Sequence, residues 1–277
     1  MSNRSNTDSI VAADVELLEA EAWAQLHGAF AQTNTLLAPA VRRYGRATAL
    51  ITPAVDVVAI NRVIGLGFEQ PLDASQLAEI TADYRAAGRS RWFLEWSPSA
   101  RLREPNVLES AGGIVRGTNV KLFVRLTELR PMGSATGPVI VEVLPEQASK
   151  FLDIVGAGLS VPEAVRPGIA AAMGQPGWRY YFAVRDGRPM AGAAMFSDGV
   201  GAWLGLCATA PESRGRGAQT ALLSRRIADA RALGCEWISA ETFPVTAPDN
   251  PSLRNMLRLG LRELYHRPWY RFGNTGP

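Results

Sequence analysis

Lysine is almost absent from this chain. Of 29 basic residues among 277, only Lys121 and Lys150 are lysines and the other 27 are arginines. No lysine is therefore available for a phosphate loop of the G-x-x-x-x-G-K-[ST] type. Cysteine and histidine are as scarce, with Cys207, Cys235, His27 and His266. Their spacing makes neither a zinc finger nor a disulfide framework, which points to a reducing, cytoplasmic setting. No apolar run reaches ~18 residues, so no transmembrane helix is expected, and the first ten residues, MSNRSNTDSI, lack the apolar stretch of a secretory signal. Charge of one sign is missing too. The net charge is +3; residues 1–138 hold 14 basic and 14 acidic residues, and residues 139–277 hold 15 and 12. That excess is too small to argue for a nucleic-acid partner, though it leaves room for a local anion site. What the chain does have is 47% apolar and 20% charged residues, enough for a core, and a length that suggests two domains.

The segment 130–138 (RPMGSATGP) has two prolines, two glycines and no apolar periodicity. It is read as a linker at 131–138, between domains at 1–130 and 139–277. Downstream, strands are expected at 139–143, 179–185, 189–196, 203–209, 236–242 and 262–272. Asp186-Gly187 signals a type I′ hairpin. Helices are expected at 146–155, 162–173, 217–233 and 251–259; the third is free of internal Gly and Pro, and Gly234 and Gly260 follow the last two. The first half reads less sharply: helices at 15–38 and 75–88, strands at 55–60, 91–96 and 120–127, with the first eight residues frayed.

The most informative stretch is residues 206–219, LCATAPESRGRGAQ, between a strand and a helix start. Glycine at 215 and 217 lets backbone N–H groups turn toward a ligand with no Cβ in the way. The helix start adds unpaired donors and the positive end of its dipole. Arg214 and Arg216 add charge, and Ala218 and Gln219 open the helix. The product is an anion cradle of pyrophosphate size. A Rossmann fingerprint fails, because Thr220 stands where the third glycine belongs and no acidic residue follows suitably about 20 residues on.

The pattern strand, Pro-x-x-Arg, x-x-Gly, helix resembles the coenzyme A pyrophosphate loop of the GNAT family of N-acetyltransferases. The order of elements over the C-terminal half resembles that family as well. Residues 250–255 (NPSLRN) with 259–261 (LGL) look like the family's second cofactor segment. The resemblance implies an α/β (α+β) fold with a mixed, centrally splayed sheet flanked by helices, and acetyl-CoA as co-substrate with no metal. It implies main-chain contacts from Cys207, Ala208 and Thr209 and cofactor contacts from Asn250, Ser252 and Asn255. Three positions depart from the family's pattern. Gln219 replaces a small residue, and its amide could donate to the phosphates. Leu261 replaces a phenylalanine. Met256 replaces the tyrosine that many members use as general acid.

Proton transfer then needs other groups. Glu241, at the end of the second splayed strand, is the candidate base; a solvated or capping carboxylate is the alternative. Tyr265, on the last strand, is the candidate acid; an aromatic on the acceptor-pocket wall is the alternative. His266 reads as a surface residue, and Cys207, with no His or Asp beside it, as a small apolar strand residue. The first half reads as a second, degenerate copy of the fold. Residues 108–114 (LESAGGI) resemble the helix end at 257–261, and no Pro-x-x-Arg-x-x-Gly loop occurs in 1–138. The expected activity is transfer of an acyl group, acetyl first of all, to a primary amine of a small molecule or peptide by direct attack in a ternary complex. A non-catalytic acyl-CoA sensor is the rival. No membrane or nucleic-acid partner is expected, and a homodimer is left open.

Overall fold

A computed structural model describes residues 2–33, 35–129, 137–243 and 250–273. Its elements are α1 (Ser2–Thr33), β1 (Ala40–Tyr44), β2 (Ala47–Ile51), β3 (Arg62–Ile64), α2 (Ala74–Ala86), β4 (Arg91–Glu95), α3 (Val107–Ser110), β5 (Ile114–Arg125), β6 (Val139–Glu142), α4 (Ala148–Gly158), α5 (Arg166–Ala171), β7 (Trp178–Arg185), β8 (Arg188–Ser197), β9 (Gly201–Thr209), α6 (Ala218–Ala232), β10 (Trp237–Thr242), α7 (Pro251–Arg258) and β11 (Arg262–Gly273). The expected linker falls mostly at 130–136, outside the described residues. By its contacts the chain falls into two compact units, Met1–Val120 with Tyr265–Pro277 and Lys121–Leu264. The strands β5 and β11 each have residues in both units.

In the second unit the sheet order is β5-β10-β9-β8-β7-β6, mixed, with β9 and β10 parallel and β6 to β9 antiparallel. Asp186 and Gly187 join β7 to β8 with φ of 51° and 72°, the two positive values a type I′ turn needs. The long α6 is rich in Ala, Leu and Arg and buries Leu222, Leu223 and Ile227. It stops at Gly234 (φ 80°), where Cys235 N–H donates to Ala230 O and Gly234 N–H to Arg231 O. That pair of bonds is a Schellman cap. The same cap ends α7 at Gly260 and α3 at Gly112. The two helix ends that resembled one another in sequence are thus alike in structure.

The first unit has the order β1-β2-β3-β4-β11, with β3 and β4 parallel. The rings of Tyr84, Trp92 and Phe272 stack at 5.3 and 4.3 Å in its core. Three expectations change here. Helix α1 begins at Ser2, where a frayed end was expected, and stops at Thr33. The β1–β2 hairpin around Gly45 was not foreseen. Residues 55–60 are β-branched in composition yet form no strand; Val58–Ile60 is a 3-10 turn. The Asn61 side chain donates to Val55 O (2.6 Å) and Val57 O (3.3 Å) and accepts from Thr52 N–H (2.8 Å). Those local bonds curl the segment away from strand geometry. No helix of the described residues is long and apolar enough to cross a membrane.

Candidate functional site

The site of the second unit begins where two parallel strands part. β9 and β10 pair from Gly201–Leu204 against Trp237–Ala240, and β9 then runs on to Thr209. Leu206 and Cys207 stand opposite the single residue Ala193 of β8, a bulge with Leu206 at φ 45°. The fully buried Arg226 of α6 holds this bulge, donating Nη1 to Ala194 O (2.9 Å) and Gly205 O (3.4 Å) and Nε to Leu222 O (3.2 Å). Gly158, at the end of α4, closes the other side, since a Cβ there would meet Ala208 Cβ at 2.5 Å.

Beyond β9, Pro211–Ser213 forms a 3-10 turn and the chain passes Gly215 (φ 74°) and Gly217 (φ 78°) into α6. Both glycines are left-handed, and a Cβ on either would meet nothing within 4 Å. Gly217 occupies the N-cap position and has no side chain with which to cap the helix. The first-turn N–H groups of Ala218, Gln219 and Thr220 therefore face the adjacent space, since the first four amides of a helix have no partner within it. That space is a cleft of about 720 Å³. It is lined by Gly158, Cys207, Ala208, Thr209, Ser213, Arg214, Gly215, Gly217, Ala218, Gln219, Thr220, Pro251, Ser252, Arg254, Asn255 and Arg258. Three arginines and no carboxylate stand among them. Open left-handed glycines, an uncapped helix start and arginines fit a diphosphate-bearing ligand.

Ten of the expected cofactor residues line this cleft. Arg216 and Asn250 do not. Arg216 is exposed and its carbonyl accepts from Arg185 Nη2 at 3.5 Å. Asn250 is the N-cap of α7, accepting from Leu253 N–H (3.0 Å) and donating to Phe243 O (2.7 Å). Gln219 does something other than reach for phosphate. Its Nε2 donates to Ser252 Oγ (2.8 Å) and its Oε1 accepts from Asn255 Nδ2 (2.8 Å), so it ties α6 to α7. The Cys207 thiol is pushed up by burial, partly offset by Arg226, so it is a poor nucleophile. Met256 is buried and has no proton to give.

Neither acid–base candidate lines the cleft. Glu241 Oε2 pairs with Nζ of the fully buried Lys121 at 3.3 Å, which makes it an ion-pair partner where a solvated or capping carboxylate was the alternative. Tyr265 belongs to the first unit. Its hydroxyl donates to Glu16 Oε1 at 2.7 Å, and burial together with Glu16 drives its pKa well above the usual phenol. A tyrosine so placed is a weaker acid than a free one, and its proton is committed. Glu16 and Glu19 also bind the guanidinium of Arg267, which pairs with Glu95 at 2.8 Å; all four side chains are buried. This charged core was missed because Arg267 lies 251 and 248 residues from Glu16 and Glu19 in sequence. Arg254 and Arg258 were missed as a pair, although their i,i+4 spacing puts them on one helix face.

The family model described as Acetyltransferase (GNAT) family matches residues 159–261. No curated protein matches the chain. Among solved structures, a GCN5-related N-acetyltransferase from Kribbella flavida is 19% identical with a TM-score of 0.62, over 91% of this chain and 96% of that one. A putative acetyltransferase of the GNAT family from Novosphingobium aromaticivorans DSM 12444 is 18% identical with a TM-score of 0.54, over 85% and 92%. A tandem GNAT protein from the clavulanic acid biosynthesis pathway is 15% identical with a TM-score of 0.55, over 99% and 97%. At these identities the structures speak for the fold alone. The uncapped, glycine-opened start of α6 and the parted strands β9 and β10 lie inside the matched residues, and the chain thus carries over residues 159–261 a domain of the acetyltransferase (GNAT) family.

Proposed function

We propose that this protein is an acyl-CoA-dependent N-acyltransferase that moves an acetyl group from acetyl-CoA to a primary amine. The observation that carries the reading is the cleft: a helix start at a glycine N-cap behind two open left-handed glycines, beside a strand whose edge toward β10 is unpaired past Leu204 among the described residues. When bound, acetyl-CoA supplies the activated acyl carbon that an acceptor amine attacks. The α6 amides and Arg214 hold a diphosphate. The free edge of β9 at Cys207–Thr209 offers main-chain groups to an extended amide-bearing arm, as an added strand would, and N–H groups near Ala208 and Thr209 are placed to polarise a carbonyl. Glu241 is proposed as the base that takes the ammonium proton, through water. Proton return is assigned to solvent, since Met256 is inert and the Tyr265 proton is held by Glu16. The acceptor class is a small-molecule or peptide amine.

A second reading, a sensor that binds acyl-CoA without turning it over, is favoured by one feature: among the residues lining the cleft there is no carboxylate, histidine or tyrosine. Thiol release from acetyl-CoA across a panel of amines separates the two. Turnover with any amine supports the enzyme, and binding without turnover supports the sensor. For the enzyme, Glu241→Gln should lower kcat about 10²–10⁴-fold while acetyl-CoA affinity stays near wild type. Because Glu241 also pairs with Lys121, the double variant with Lys121→Met is the control: a purely structural glutamate would be rescued by it, and a base would not.

A further inference from the structure

The sheet of the first unit carries three buried arginines on one face, and they differ in what answers them. Strand register puts Arg62, Phe93 and Arg271 in one row across β3, β4 and β11, and Glu95 and Trp269 in the next row. Arg62 pairs with Glu19 and Glu95, and Arg267, further along β11, pairs with Glu16, Glu19 and Glu95. Arg271 is only 8% exposed, and its Nε is buried with no hydrogen-bond partner. Among the described residues no carboxylate pairs with its guanidinium. Arg91, on the same face two residues before Phe93, shares Asp56 with Arg89. A guanidinium cannot shed its charge, so burying one without a partner destabilises the fold.

The surroundings of Arg271 are aromatic. The Trp269 ring packs against Gly117, where a Cβ would meet its Nε1 and Cε2 at 2.5 and 2.7 Å. It also makes a T-shaped contact with Phe93, ring centroids 5.6 Å apart. Trp269 is half-buried, and Val115, two residues before Gly117, is 50% exposed. An aromatic surface that solvent reaches therefore lies two residues from the unanswered cation, on the same face of β11. We propose that this face binds an aromatic carboxylate. Arg271 would take the carboxylate through two parallel N–H groups, and Trp269 and Phe93 would meet the ring. One unanswered charge matches a monoanion. The site lies wholly in the first unit and is independent of the acyl-CoA reading, whose cleft belongs to the second.

The test is ligand-observed NMR titration of the full chain with benzoate, benzyl alcohol and inorganic phosphate, paired with thermal unfolding. Wild type should bind benzoate with a dissociation constant of about 1 mM or below. Benzyl alcohol, which has the ring without the charge, should bind at least about tenfold more weakly. Arg271→Met should weaken benzoate binding by about tenfold or more. The same variant without ligand should unfold within about 1 °C of wild type or above it, because it removes an unpaired buried charge. No benzoate binding by wild type, or equal binding by Arg271→Met, would overturn the inference. A destabilised or unfolded Arg271→Met would overturn it as well, by assigning the arginine a structural partner. Phosphate binding as tight as benzoate would also overturn it, by showing an oxyanion site indifferent to the ring.

Discussion

Each unit of this chain passes from a strand through two left-handed glycines toward a helix, and the two passages end in opposite ways. In the second unit, Gly215 and Gly217 face open space and α6 starts without a side-chain cap. In the first, Gly65 (φ 86°) and Gly67 (φ 84°) follow β3, but a Cβ on Gly67 would meet the Trp96 ring at 2.8 Å and Ala100 Cβ at 3.0 Å. Helix α2 is capped by Asp73, which accepts from Gln76 N–H at 2.9 Å and pairs with Arg103. A carboxylate at a helix start occupies the position an anion would take and repels one. Glycine conformation alone therefore does not make a cradle. Open volume and an absent cap do, and only the second unit has both. The first unit instead holds a buried charged core. We propose that it is a degenerate copy of the fold with no cradle of its own.

That division can be broken from the first unit. Arg267 answers Glu16, Glu19 and Glu95, and the buried Arg62 pairs with Glu95 and Glu19, so Arg267→Met would leave three buried carboxylates sharing the one guanidinium of Arg62. The expected cost is about 3–5 kcal/mol in urea unfolding. A loss under about 1 kcal/mol would mean the cluster is solvated or self-compensating. Replacing the whole constellation with apolar residues of similar volume should cost far less than removing Arg267 alone.

The next effect is a pH dependence. His27 is buried on α1, with Nε2 3.1 Å from Ile51 O, and burial lowers its pKa to about 4 from 6.5. The unfolded chain therefore binds more protons between those values. The stability this neutral ring contributes is whole above pH 6.5 and is lost as pH falls toward 4. Between about pH 7 and 5 the wild type should lose about 2 kcal/mol from this group, and His27→Gln should show a correspondingly flatter profile. Matching slopes in the two proteins would show that the ring is not buried neutral.

The smallest effect sharpens the other side of the comparison. Gln219 bridges α6 to α7 through Ser252 and Asn255, so Gln219→Ala should weaken acetyl-CoA binding by about 0.5–1.5 kcal/mol, the net worth of a hydrogen bond. The loss would come from a looser α7 and should be accompanied by a small drop in stability. Weaker binding with unchanged stability would restore a direct phosphate contact for the amide.

Much of the second unit was legible in the sequence because its signals are local. Asp186-Gly187, the Ala-, Leu- and Arg-rich run of α6, Pro251 and Gly260 each fix their own few residues. The cradle was legible for the same reason, as glycines and a helix start adjacent in the chain. Asn61 shows what was not. A β-branched run reads as a strand until one side chain takes three backbone partners within nine residues. The Arg267 cluster and the Gln219 bridge join residues from distant segments, and nothing in a single sequence reports such pairings. Tyr265 was placed on its strand correctly, but the bond of its hydroxyl to Glu16 depends on tertiary packing.

The most direct test of the central claim is calorimetric titration of acetyl-CoA into the wild-type chain and into Gly217→Glu. The substitution introduces a carboxylate beside the uncapped amides of α6 and forces a side chain into a left-handed position. Space is open there, so the fold should survive, with unfolding shifted by about 1 kcal/mol. The account predicts micromolar-class binding by the wild type and a loss of about 100-fold or more in the variant. Equal binding by a folded Gly217→Glu protein would contradict it and move the ligand away from the start of α6.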